Sequence, residues 1–156
     1  MHDDITLTAP LQRPTCPTNG RIGRPVDTLI LKSCLAVPLT ELRATDYHFC
    51  REPDCPTVYY AVDGSQVFDE AALRERVYQK HPDDDDIMIC YCFQHTIGSI
   101  RAELVATGSS TVVEAITAGI QANKCACDIR NPQGACCLGN VHRLVARLHD
   151  QLGLAG

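Results

Sequence analysis

Ten cysteines in 156 residues are the side chains of this sequence best suited to chemistry, and six of them lie between Ile89 and Val141. Cys90-Tyr91-Cys92 opens that stretch, and Cys125-Ala126-Cys127 with Cys136-Cys137 closes it. Thiolates are soft donors, and groups of four select zinc, Cu(I) or iron-sulfur clusters over hard cations. Two cysteines one residue apart in extended chain point to the same side, so Cys90 and Cys92 can share a ligand. Asn131-Pro132-Gln133-Gly134 is a turn signature that brings Cys127 back towards Cys136 or Cys137. Adjacent cysteines diverge, so one iron takes one of each close pair. The reading is an iron-sulfur site held by Cys90, Cys92, Cys127 and Cys137. Cys125 and Cys136 are the alternates, or spare thiols for a second soft metal.

The other four cysteines, Cys16, Cys34, Cys50 and Cys55, are spread over loops and strand ends. That is the distribution of a structural zinc site, where four ligands replace core that a small module cannot build. Cys50 and Cys55 form a tight Cys-x4-Cys pair, whereas Asn19 stands where a Cys-x2-Cys knuckle starting at Cys16 would carry its second sulfur. Cys34 or His48 then completes the set, with Asn19 a third candidate; for Cys34 the plainer role is a buried small hydrophobe. His95, beside the Cys90/Cys92 pair, could tune a cluster, though capping a helix or facing water is the simpler role. No conventional catalytic site is visible.

Composition limits the alternatives. Hydrophobic residues at 45% and charged residues at 21% describe a globular chain, and the absence of Trp points to a small core that needs staples. Met1 to Thr8 show neither a basic start nor an apolar run, so the expectation is no secretory leader, a cytoplasmic location and reduced thiols rather than disulfides. No apolar run approaches the ~20 residues of a membrane helix. A net charge of -5 offers no basic footprint for nucleic acid.

The elements that must position these thiols read as α+β: a small zinc-bound hairpin and helix module, then a helical cluster-binding module. Residues 1–15 read as a flexible tail, 16–81 as the zinc module, 82–87 (Pro82 and Asp83 to Asp86) as an acidic linker, and 88–156 as the cluster module. Val26 to Leu35 fits a strand; Thr57 to Val62 and Gln66 to Phe68 form a hairpin about Asp63-Gly64. Asp69 caps a helix from Glu70 to Lys80. Thr96 caps a helix from Ile97 to Thr107 that Gly108 stops, a second helix runs from Thr111 to Gln121, and a third from Leu138 to Leu152. The cysteines sit where helices begin or end. Tyr91 and Phe93 are placed to shield a cluster from water.

Cys90-Tyr91-Cys92-Phe93, the helix pair, and the closing Cys125-Ala126-Cys127 to Val141 resemble the N-terminal region of CopZ-type copper chaperones, whose second half is related to the bacterioferritin-associated ferredoxin domain. Tyr47 to Tyr60 is similar to the zinc half of the same family, and the resemblance spans about residues 16 to 145. It implies one zinc, one 2Fe-2S cluster on four cysteines, and a redox or copper-handling protein partner. The sequence departs from the family at Asn19 and contains no Met-x-Cys-x-x-Cys module. The functions that follow are one-electron transfer, including reduction of a metal such as Cu(II), or a cytoplasmic metallochaperone whose spare cysteines bind copper beside a structural cluster.

Overall fold

In the computed structural model, residues 14–154 are described. The tail expected at 1–15 falls almost wholly outside them. The N-terminal half is a four-stranded antiparallel sheet in chain order, β1 (Arg24–Val26), β2 (Tyr47–Phe49), β3 (Thr57–Ala61) and β4 (Val67–Asp69). Every residue of β2 and β3 is buried, because both faces of the sheet are covered. Side chains alternate along a strand. Tyr47, Phe49, Tyr59 and Ala61 join Ile30, Leu31 and Phe68 in the main core of this half. The paired His48 and Tyr60 stack at 5.6 Å between ring centroids, and Tyr60 packs with Cys16, Cys50 and Cys55.

Two expectations fail here. Val26 to Leu35 is not a strand: after β1 the chain forms helix α1 (Thr28–Cys34), capped by Asp27, whose carboxylate accepts from Leu29 N at 2.9 Å. An aliphatic run fits either structure by periodicity, and the Asp cap decides it. Nor does a helix run from Glu70 to Lys80. Only two short 3-10 turns form, Glu70–Ala72 and Tyr78–Lys80, and Asp69 makes no side-chain cap. The backbone between them pairs with the end of α1 instead, through Ala36 N to Ala72 O at 2.7 Å and Arg74 N to Cys34 O at 2.8 Å. Glu70 is diverted as well, accepting from Val77 N and meeting His81.

In the C-terminal half, β5 (Met88–Cys90) pairs with β6 (His95–Thr96), followed by α2 (Ile97–Thr107), α3 (Val112–Gln121), the single turn α4 (Cys127–Arg130) and α5 (Leu138–Gln151). Thr96 and Ser99 form a reciprocal capping box, and Gly108 ends α2 in the left-handed conformation at φ 79°. The next helix starts one residue later than expected, because the Glu103 carboxylate takes the Thr111 amide and hydroxyl. Ile97, Ile100, Leu104, Val112, Ile116, Val141, Leu144 and Leu148 fill the helical core, as their 3.6-residue spacing requires.

Of residues 82–87, Ile87 is buried in the helical core, and the acidic residues before it are tied by ion pairs, Arg76 to Asp84 at 2.5 Å and Arg101 to Asp85 at 3.1 Å. The halves meet along a seam where α1 packs on α4. The buried Tyr59 hydroxyl, whose pKa burial pushes far up, donates to Pro132 O at 2.6 Å, and Arg147 donates to Pro82 O at 2.7 Å. No helix among the described residues is long and apolar enough to cross a membrane.

Candidate metal centres

The first thiol group is built on the outer face of the sheet. Cys16 starts a turn, closed by Gly20 N to Cys16 O at 2.7 Å; Cys50 follows β2 directly, and Cys55 precedes β3. The strand pairing therefore brings the three sulfurs within 4.8 Å of one another, all buried, with Cys16 and Cys55 3.9 Å apart. Cys34 is not brought to them. It ends α1 on the opposite face of the sheet, in the main core of the half, with its Sγ 3.9 Å from Ile129 O. Burial pushes its thiol pKa up, the behaviour of an apolar filler. His48 lies on the thiol face, yet its nitrogens fall outside the group, and its buried Nδ1 has no hydrogen-bond partner among the described residues.

Asn19 lies beside the three sulfurs. Its Nδ2 donates to Cys50 Sγ at 3.1 Å while its Oδ1 accepts from Arg21 N at 2.7 Å. Lys80 Nζ adds a positive charge 3.8 Å from the same sulfur. Burial nonetheless holds the Cys50 thiol above its ordinary pKa. At Cys55, burial is outweighed by hydrogen bonds from the Thr57 amide and from Asn19, Cys50 and Cys16, so its pKa falls. A buried nest of three sulfurs with amide and ammonium donors suits a thiophilic cation. Gly23 closes the site edge. Its amide donates to Tyr60 Oη at 2.9 Å, and a Cβ there would lie 2.4 Å from Phe49 O, so no larger residue fits.

The second group gathers at the start of helices, as the sequence requires, but Cys90 and Cys92 do not share a strand. Cys90 ends β5, and Cys92 sits in the turn before β6, which includes Gln94 at φ 62°. Cys92, Cys125 and Cys127 lie within 4.8 Å of one another, with Cys92 and Cys127 3.7 Å apart. Ala126 N donates to Cys92 Sγ at 3.1 Å. The Asn131-Pro132-Gln133-Gly134 turn forms, with Gly134 N to Asn131 O at 2.8 Å, and the buried Cys137 beyond it meets Cys127 and Cys90, outside the closest three sulfurs, while Cys136 stays exposed.

Protonation links the thiols into a chain. A hydrogen bond from Cys137 draws the Cys127 pKa down to about 5 and, likewise first among its causes, draws Cys90 to about 7. Cys137, giving those bonds, is pushed up, and burial raises Cys92 to about 12. Thiolate character is therefore concentrated on Cys127 and Cys90, whereas Cys92 and Cys137 keep their protons. Cys125 lies within 4.8 Å of Cys92 and Cys127, and Cys136 is exposed.

Phe93 packs partly buried on the helical core, lying against Gly119 of α3, where a Cβ would meet its Cζ at 2.3 Å. Tyr91 turns away to the seam, its hydroxyl accepting from Tyr78 N at 2.9 Å and donating to Arg76 O at 2.7 Å. His95 lies opposite Cys90 in the β5–β6 pair, partly exposed. Reading the sequence alone missed the hydrogen-bonding part of Asn19 at the first group; its place three residues after Cys16 was the available signal.

No curated protein matches the chain. Among solved structures it is similar to the X-ray structure of the Archaeoglobus fulgidus CopZ N-terminal domain, at 27% identity and a TM-score of 0.70, covering 83% of this chain and 96% of that one. Residues 13–74, which carry Cys16, Cys50 and Cys55, match the model of the CopZ zinc binding domain.

Proposed function

We propose that this protein is a metal-binding module of the metallochaperone type, with a zinc held by the sheet and a soft-metal centre held by the helical half. The observation that carries the reading is the pair of separate thiol groups, one fully buried and one half-buried. Cys16, Cys50 and Cys55 are the zinc thiolates, and Asn19 lies beside them. Cys90, Cys92, Cys127 and Cys137 would hold a 2Fe-2S cluster; an amide donating to Cys92 Sγ is the kind of contact that stabilises a cluster sulfur. Bound there, the cluster would supply a one-electron couple. Cys125, touching Cys92 and Cys127, and the exposed Cys136 are the thiols left to take Cu(I) or another soft metal.

The likeness to CopZ, a copper-handling domain by resemblance, favours this binding reading over one-electron transfer or Cu(II) reduction as the primary task. It also suggests a copper-handling protein in the cytoplasm as the partner. The experiment is metal analysis with electron paramagnetic resonance on anaerobically purified protein, followed by Cu(I) competition against a chelator. Zinc together with iron, a reduced-cluster signal and retained Cu(I) are expected. Immediate loss of Cu(I) to the chelator would end the chaperone reading. A cluster that cycles reversibly at cellular potentials in protein without copper affinity would favour electron transfer instead. Colourless, iron-free protein would remove the cluster.

A further inference from the structure

The sheet and α5 frame an open concavity of about 460 Å³ on the seam, with the exposed Arg24, Arg51 and Arg143 around Phe49, Tyr78, Gln79, Gln133 and Asn140. Register explains the convergence. Arg24 is directly opposite Phe49 and so shares its face of the sheet, and Arg51 reaches the cavity from the loop that follows β2. Asn140 and Arg143 are three residues apart on α5 and face the cavity together. No Asp or Glu lines it, although the chain carries a net charge of -5. Among the described residues none of these three arginines pairs with a carboxylate, whereas Arg21, Arg76, Arg101 and Arg147 each do.

The floor is built and saturated. Gln133, 5% exposed, accepts from Gln79 Nε2 at 2.5 Å and Asn140 Nδ2 at 2.9 Å, and donates to Ala135 O and Cys136 O, each at 3.1 Å. Arg143 Nη2 donates to Asn140 Oδ1 at 2.7 Å, which orients the guanidinium towards the floor and leaves its remaining N–H groups for a ligand. Three forks over an amide floor, in a concavity of ligand size, match the oxygens of a small dianion.

We propose that this seam cavity is a binding site for a small dianion, phosphoryl or dicarboxylate, held by Arg24, Arg51 and Arg143. The ligand bridges the two halves, so its binding stabilises the loop that carries Cys136 and Cys137.

Isothermal titration of the full chain with its metals in place, at constant ionic strength, tests this with inorganic phosphate and adenosine monophosphate in one arm and succinate in the other. Saturable binding in either arm is expected, and the arm that saturates identifies the chemistry. Arg51→Gln and Arg143→Gln should each weaken it about tenfold or more. Arg51→Lys, which keeps the charge and loses the fork, should fall between. Arg101→Gln, outside the cavity, should leave it unchanged. Absence of saturation in both arms, or equal weakening by Arg101→Gln, overturns the proposal.

Discussion

The two thiol groups differ in how the chain builds them. The first is assembled by strand pairing: Cys50 and Cys55 flank the β2–β3 connection, Cys16 is brought over by the turn before β1, and all three are buried beneath an aromatic layer. The second is assembled by helix starts and a proline turn, includes the half-exposed Cys92 and Cys125, and shares protons along a line of sulfurs. A closed set of ligands suits a structural ion, whereas a set with a surplus thiol at its rim suits exchange. Burial and surplus ligands, rather than cysteine count, separate the two.

Removing one thiol from each group is the harshest way to break that contrast. Cys90→Ser should lose nearly all metal at the second group and keep zinc, while Cys50→Ser should lose zinc first; metal analysis of both variants reads the outcome. Loss of both metals in either variant would merge the two groups into one cooperative unit. Gly119→Ala sharpens the contrast from the packing side. The added methyl must displace Phe93, at a cost of about 1–3 kcal/mol, against which alanine gains roughly 1 kcal/mol of helix propensity. Thermal melting should show the net loss while zinc affinity stays unchanged.

Asn19→Cys tests whether the first group is one sulfur short. A fourth thiolate should raise zinc affinity about tenfold or more in a chelator competition. The smallest effect concerns pH. Hydrogen bonds from the Thr111 hydroxyl, the Thr111 amide and Ser110 hold the Glu103 pKa below its ordinary value. A depressed carboxylate adds stability above its unfolded pKa and loses it as pH falls through the folded one. The melting-temperature advantage of the parent over Glu103→Gln should therefore be present at neutral pH and close on acidification, with zinc binding at neutral pH equal in the two proteins.

Much of the helical half was legible in the sequence. Thr96, Gly108 and the Ile97, Ile100, Leu104 spacing are local signals, and the observed helix ends where they direct. The sheet half was less so. Asp27 turns an aliphatic run into a helix, and the 70–80 segment gives up helix because its backbone is claimed by the end of α1. Both outcomes depend on partners distant in sequence. So does the fate of Cys34: spacing left it open between zinc ligand and buried small hydrophobe, and its position on the far face of the sheet decides for the second.

The sequence by itself determined that the cysteines come in an early and a late set, and that helices frame the late one, because spacing and caps act over a few residues. Tertiary structure alone decided that Asn19 lies beside Cys50, that Cys136 points to water while Cys137 is buried, and that three arginines from two halves share a cavity. Those are consequences of strand register and of the seam between α1 and α4, where contacts are made by residues that no local pattern connects.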